Sequence, residues 1–127
     1  MSVCGKKDWI IPDCELPPEG EGVLKGHESV IIVNDTDEVA HIKVKLFFPD
    51  REPYTAINWT VDAQRVRCFR MNNLEDMCGY EVERETQYAM KLESSTEIVV
   101  QYGTHRRYRA ARGKTEKQND AAQVQGV

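Results

Sequence analysis

The 127-residue chain is as informative in what it lacks as in what it holds. No apolar run approaches the ~20 residues a membrane-spanning helix needs. The start, MSVCGKKDW, carries two lysines, but Asp8 and Pro12 interrupt any apolar stretch after them. No signal peptide is therefore expected, and a cytoplasmic location follows. Four cysteines (Cys4, Cys14, Cys68 and Cys78) contain no C-x-x-C spacing, which argues against a zinc ribbon or a thioredoxin-like site. In a cytoplasmic protein they are expected to be free thiols. The glycine-bearing segment Pro17-Pro18-Glu19-Gly20-Glu21-Gly22 has no Gly-Lys-Ser/Thr, opens no helix, and carries glutamates that repel phosphate. Neither Ser29 nor Cys68 lies in a nucleophile elbow, and no carboxylate pair stands out from the acidic background. An enzyme is not expected, although a small β-sandwich enzyme is kept as one alternative. Up to Tyr102 there is also no helical stripe of apolar residues.

What is present is β pattern. The stretch His27–Phe48 reads HESVIIVNDTDEVAHIKVKLFF. Ser29 to Val33 is a continuous apolar run, as for a strand buried on both faces. Asn34-Asp35-Thr36-Asp37 is turn chemistry, because these short polar side chains bond to nearby backbone. From Ala40 on the pattern alternates, with Ala40, Ile42, Val44, Leu46 and Phe48 on one side. The two strands form either a hairpin or a corner that sends them to different sheets. Further alternating segments are Thr55–Val61, Arg65–Met71, Thr86–Glu93 and Ile98–Tyr102, with a turn at Ser94-Ser95-Thr96-Glu97. Asn72–Glu85 reads as a long polar loop that can hold a short turn of helix. Short strands at this spacing are the signature of an all-β protein, an antiparallel sandwich or barrel, of which a jelly-roll-like β-sandwich is the fold expected.

The charge is uneven. The net charge is −4, yet residues from Gly103 onward carry +4, which leaves −8 for residues 1–102. The structured domain is expected over 1–104. Residues 105–127 form a basic tail, partly disordered or helical, with almost no apolar face. Its Arg106, Arg107, Arg109 and Arg112 are the candidates for phosphate contact if the chain acts on nucleic acid, the alternative being a DNA-contacting regulator.

Within the body, His27, Glu28 and His41 are the polar residues that a strand pattern does not explain. A metal needs three or four converging ligands, and these supply too few, so no metal or other cofactor is expected. Hydrogen bonding at strand ends is their plainest role. Arg65, Arg67 and Arg70 crowd one short strand near Trp59 and Phe69. Alternation puts Arg65, Arg67 and Phe69 on one side and Arg70 on the other. Guanidinium groups beside aromatic rings suit carboxylate, phosphate or sugar ligands; the competing reading pairs them with the body's many acids. The candidate ligand-binding residues are therefore His27, Glu28, His41, Arg65 and Arg70, with Trp9 as a stacking platform.

Several stretches together resemble the sensory rhodopsin transducer family of small β proteins. They are Trp9, Pro17-Pro18 with Gly20 and Gly22, His27-Glu28 leading to Ile32 and Asn34, and Ala40-His41. They continue with Asp50, Glu52-Pro53, Val61, Ala63 and Arg65, then Arg70-x-Asn72-x-Leu74, Thr86-x-Tyr88-Ala89 and Ile98-Val99-Val100-Gln101. The chain departs from the family's pattern after Gln101 and between Leu74 and Thr86. The resemblance implies a β-sandwich that assembles as a homo-oligomer, a tetramer. It also implies a non-enzymatic role in binding or signalling. The partner would be a protein such as a membrane photoreceptor, or a small polar ligand, with sugars as one class.

Overall fold

The computed structural model describes residues 4–21, 25–109 and 115–123, with side chains through residue 104. Its strands are β1 (Lys6–Glu15), β2 (His27–Asn34), β3 (Ala40–Phe47), β4 (Tyr54–Val61), β5 (Arg65–Arg70), β6 (Gln87–Arg109) and β7 (Thr115–Gln123). All strand pairs are antiparallel. Strand β6 belongs to both halves of the fold. Its first part lies between β3 and β1, giving the order β4-β3-β6-β1. Its second part lies between β2 and β7, giving β5-β2-β6-β7. The hydrogen-bonded network thus curls over itself into a sandwich.

The two strands of His27–Phe48 do not form a hairpin. β2 pairs with β5 and β6, β3 with β4 and β6, and Asn34–Val39 is the corner between the halves. Strand β2 is also not buried on both faces. Val30 and Ile32 are fully buried, but Val33 is 41 % exposed and lies opposite Val66, which is 65 % exposed. The run looked uniform because an apolar residue on an outer face breaks no rule of burial.

The other large difference concerns Ser94-Ser95-Thr96-Glu97, which does not reverse the chain. β6 passes straight through it. Along β1 the register jumps from Asp8↔Glu93 to Lys6↔Ile98, and this irregularity bends the strand from one half to the other. The Ser94 hydroxyl accepts from the Thr96 N–H, and the Ser95 hydroxyl accepts from the His41 N–H. The polar side chains thus satisfy backbone groups at the bend. Beyond residue 104 the backbone is also extended: β7 pairs along β6 from Gln101↔Gln123 to Arg109↔Thr115. A helix there would have no apolar stripe to dock with, whereas a strand needs only a ladder partner.

The core lies between the two halves. From one side come Trp9, Ile11, Ile42, Val44, Leu46, Ile57, Trp59, Met90 and Leu92; from the other come Val30, Ile32, Phe69, Val100 and Tyr102. Trp59 stacks flat on Phe69 across the sandwich, with ring centroids 4.1 Å apart. Loop 72–85 closes one end. Met77 and Val82 are buried there, and the Asp76 carbonyl accepts from the Trp59 indole N–H at 2.6 Å. A single helical turn, Met77 N–H to Asn73 C=O, lies within the loop.

Asn34 fixes the corner. It is fully buried, and its side-chain amide donates to the carbonyls of Glu38 (2.7 Å), Val61 (3.0 Å) and Asp62 (3.2 Å). Its side-chain oxygen accepts from the Thr36 N–H and hydroxyl. Asn34→Ala strands several of these groups and is expected to cost about 2–3 kcal/mol in urea unfolding. Asn34→Asp should cost more at neutral pH, because it aims a carboxylate at three carbonyl oxygens. Equal stability of the Asp variant and wild type would show that the corner does not depend on the amide.

Candidate functional site

The polar residues singled out from the sequence fall in three separate places. His27 and His41 do not meet: His27 pairs with His105 on β6, and His41 pairs with Thr60 on β4. Trp9 is 6 % exposed, and its indole N–H bonds to the carbonyls of Lys6 and Ile98. Its ring packs in the core and leaves no face for an external ligand to stack on. Arg106, Arg107, Arg109 and Arg112 lie outside the residues whose side chains are described.

The first place is interior. Glu28 has no exposed surface. Its Oε1 bonds to the Tyr88 hydroxyl at 2.7 Å, and its Oε2 bonds to the Tyr102 hydroxyl and to the Glu15 N–H at 2.9 Å. One carboxyl thus ties β2 to β1 and to both parts of β6. Burial pushes the Glu28 carboxyl above its ordinary value, against the lowering effect of the Tyr102, Tyr88 and Glu15 bonds. Burial and the facing carboxylate push up Tyr88 and Tyr102, and the buried Cys14 thiol beside them. Beside Glu28, His27 is mostly buried, with Nδ1 3.0 Å from the Lys25 carbonyl. Strand periodicity puts consecutive residues on opposite faces. It therefore gave no reason to place Tyr88, Tyr102 and Cys14 around Glu28.

The second place is a recess of about 460 Å³ on the outer face of the β4-β3-β6-β1 half. Register creates it. Asn58, Lys43, Glu93 and Asp8 stand in one row across the four strands, and Thr60 and His41 form the next. Lys7 and Ser95 complete its rim. His41 is the residue that the sequence picked out here. The others are ordinary surface residues until pairing aligns them, so no sequence signal marked them. The group offers ammonium, carboxylate, imidazole, amide and hydroxyl functions at short range, which suits a polar ligand with several hydrogen-bonding groups.

The third place is strand β5. Arg67 lies over the Phe69 ring at 4.6 Å and donates to the Thr60 carbonyl at 2.9 Å, extending the Trp59–Phe69 stack. The Arg65 guanidinium donates to the neighbouring Gln64 carbonyl. Among the described residues, none of Arg65, Arg67 and Arg70 forms an ion pair with an acid. The reading that paired them with the body's acids is therefore not what the structure shows. All four cysteines are unbridged. Among the described residues no three His, Cys, Asp or Glu side chains converge as metal ligands would, and no helix is long and apolar enough to cross a membrane.

The fold and these surfaces define a small antiparallel β module of the transducer type. The family profile described as Anabaena sensory rhodopsin transducer matches residues 4–114, and the chain belongs to that family. The solved structure of the Anabaena sensory rhodopsin transducer is similar, at 31% identity and a TM-score of 0.66, covering 79% of this chain and 97% of that one. The crystal structure of Thermotoga maritima 1070 shares the fold over 97% of this chain and 98% of its own, at 22% identity and a TM-score of 0.74. No curated protein matches the chain.

The buried carboxyl generates a pH prediction. With its native pKa above the ordinary 4.5, Glu28 binds more protons in the folded state than in the unfolded state. Its contribution is full below the unfolded pKa and is lost as pH rises through the folded one. Unfolding free energy measured from pH 4 to 8 should therefore fall more steeply in wild type than in Glu28→Gln, which mimics the protonated acid. Parallel profiles would show that Glu28 is charged in the fold.

Proposed function

We propose that the chain is a non-enzymatic cytoplasmic binding and signalling module. Its receiving surface is the recess around His41, and its ligand is small, polar and rich in hydroxyl groups, with sugars as the leading class. The supporting observation is the row Asn58–Lys43–Glu93–Asp8 beside His41 and Thr60, where donors and acceptors of both charges converge on one outer sheet face. Such a surface fits a ligand that both donates and accepts hydrogen bonds. Membership in a family named for a sensory rhodopsin transducer supports a relay role with a protein partner, a membrane photoreceptor being the partner to test. We also propose a homotetramer. The adjoining Val33 and Val66 on the opposite outer face are apolar surface that face-to-face assembly would cover.

A thermal-shift screen of mono- and disaccharides, amino sugars and sugar acids tests the ligand. At 100 times its Kd, a ligand specific to the folded state adds about 2.7 kcal/mol, which raises Tm by roughly 10 °C in a chain of this size. Active compounds should lose most of that shift with His41→Ala or Asn58→Ala. Shifts that survive both substitutions would place binding elsewhere.

A further inference from the structure

We propose that the open edge of β5 accepts an extended acidic segment of a partner protein as an added antiparallel strand. This edge adjoins the recess around His41 at Thr60, whose carbonyl accepts from Arg67, but the inference does not rest on a ligand binding there.

The backbone defines the edge. β5 pairs with β2 on one side only. The Arg70 N–H bonds outward to the Asp76 carboxylate, and the Arg70 carbonyl accepts outward from the Asn73 N–H. On the other side, the Met71 N–H bonds to Glu28 of β2. In an antiparallel ladder, residues alternate between facing the partner strand and facing away. Cys68 and Val66, two and four residues before Arg70, therefore also present their N–H and C=O groups outward. Those four groups have no hydrogen-bond partner among the described residues. Nearby open groups are capped: the Asn58 carbonyl of β4 by the Cys78 thiol, and the Thr60 carbonyl by Arg67. Val66 and Cys68 are the uncapped stretch, and open N–H and C=O groups on a sheet edge are the template on which an extended segment adds as a strand.

Charge selects the occupant. Arg65 precedes this stretch and Arg67 lies within it, both on one face, and Arg70 lies beyond its end on the other. None of their guanidinium groups has a carboxylate partner among the described residues, although residues 1–102 are strongly acidic. Asp62 lines the recess of about 270 Å³ beside Arg65 and Arg67 but pairs with neither. A second copy adding its own β5 in antiparallel fashion would set arginines against arginines, which is destabilising. An added strand with acids at alternate positions would instead put each carboxylate opposite Arg65 or Arg67. Its other side chains would then fall on the outer face beside Val66 and Cys68. This addition occurs in the plane of the sheet, so packing on the outer face need not block it. The expected motif is thus alternating, acidic at one position and apolar or β-branched at the next.

The test uses the full chain and a fluorescently labelled peptide of four Glu-Val repeats. Anisotropy should show saturable binding that weakens with salt. Hydrogen exchange should slow at the Val66 and Cys68 amides. The double variant Arg65→Glu/Arg67→Glu, checked for an unchanged melting curve, should bind about tenfold or more weakly. A Lys-Val peptide, and a Glu-Val peptide with alternate valines replaced by proline, should not bind. No saturable Glu-Val binding at low salt overturns the proposal. So does equal binding of the proline-containing peptide, which would reveal charge contact without a ladder. Binding with no change in exchange at Val66 and Cys68 likewise overturns it.

Discussion

A strand shared by two sheets is the constraint on which this molecule depends. The first part of β6 is held between β1 and β3, and the second between β2 and β7. With one strand in both halves, the halves can neither separate nor slide independently. The bend between them needs an irregular register, which occurs at Glu93–Ile98, where serine and threonine hydroxyls take up backbone hydrogen bonds. Alternation along β6 then aims Met90 and Leu92 into one core layer and Val100 and Tyr102 into the facing one.

Two buried polar residues secure what β6 arranges. Asn34 holds the corner where the chain passes from one half to the other, and Glu28 joins β2 to β1 and to both parts of β6 through two tyrosines and a backbone amide. Each makes enough hydrogen bonds to offset the loss of water, the condition under which a buried polar group specifies a structure. Glu28 faces hydroxyl groups with no cation among its named partners, and so burial governs its proton affinity. The recess around His41 lies on the outer face of the β4-β3-β6-β1 half and the open edge of β5 belongs to the other half, with Thr60 of β4, held by Arg67 of β5, between them.

The sequence by itself determined the class of fold and most of the core. Period-two alternation in Ala40–Leu46 and around Tyr88–Leu92 places side chains on alternate faces whatever the strand pairs with, and those residues are buried. It also marked Asn34–Asp37 as a change of direction, and it set His27, Glu28 and His41 apart as polar residues needing an explanation. Only the tertiary structure decided which strands are neighbours. Serine and threonine bond to backbone equally well at a turn and at a bend, so Ser94–Glu97 could be read as either. Pairing then assigned the roles: it put Glu28 among Tyr88, Tyr102 and Cys14, aligned Asp8, Lys43, Asn58 and Glu93 with His41, and left the guanidinium groups of Arg65, Arg67 and Arg70 without ion pairs among the described residues. Local pattern fixes which face a side chain occupies. Residues tens of positions apart become neighbours only through register, which the packing of the whole core selects.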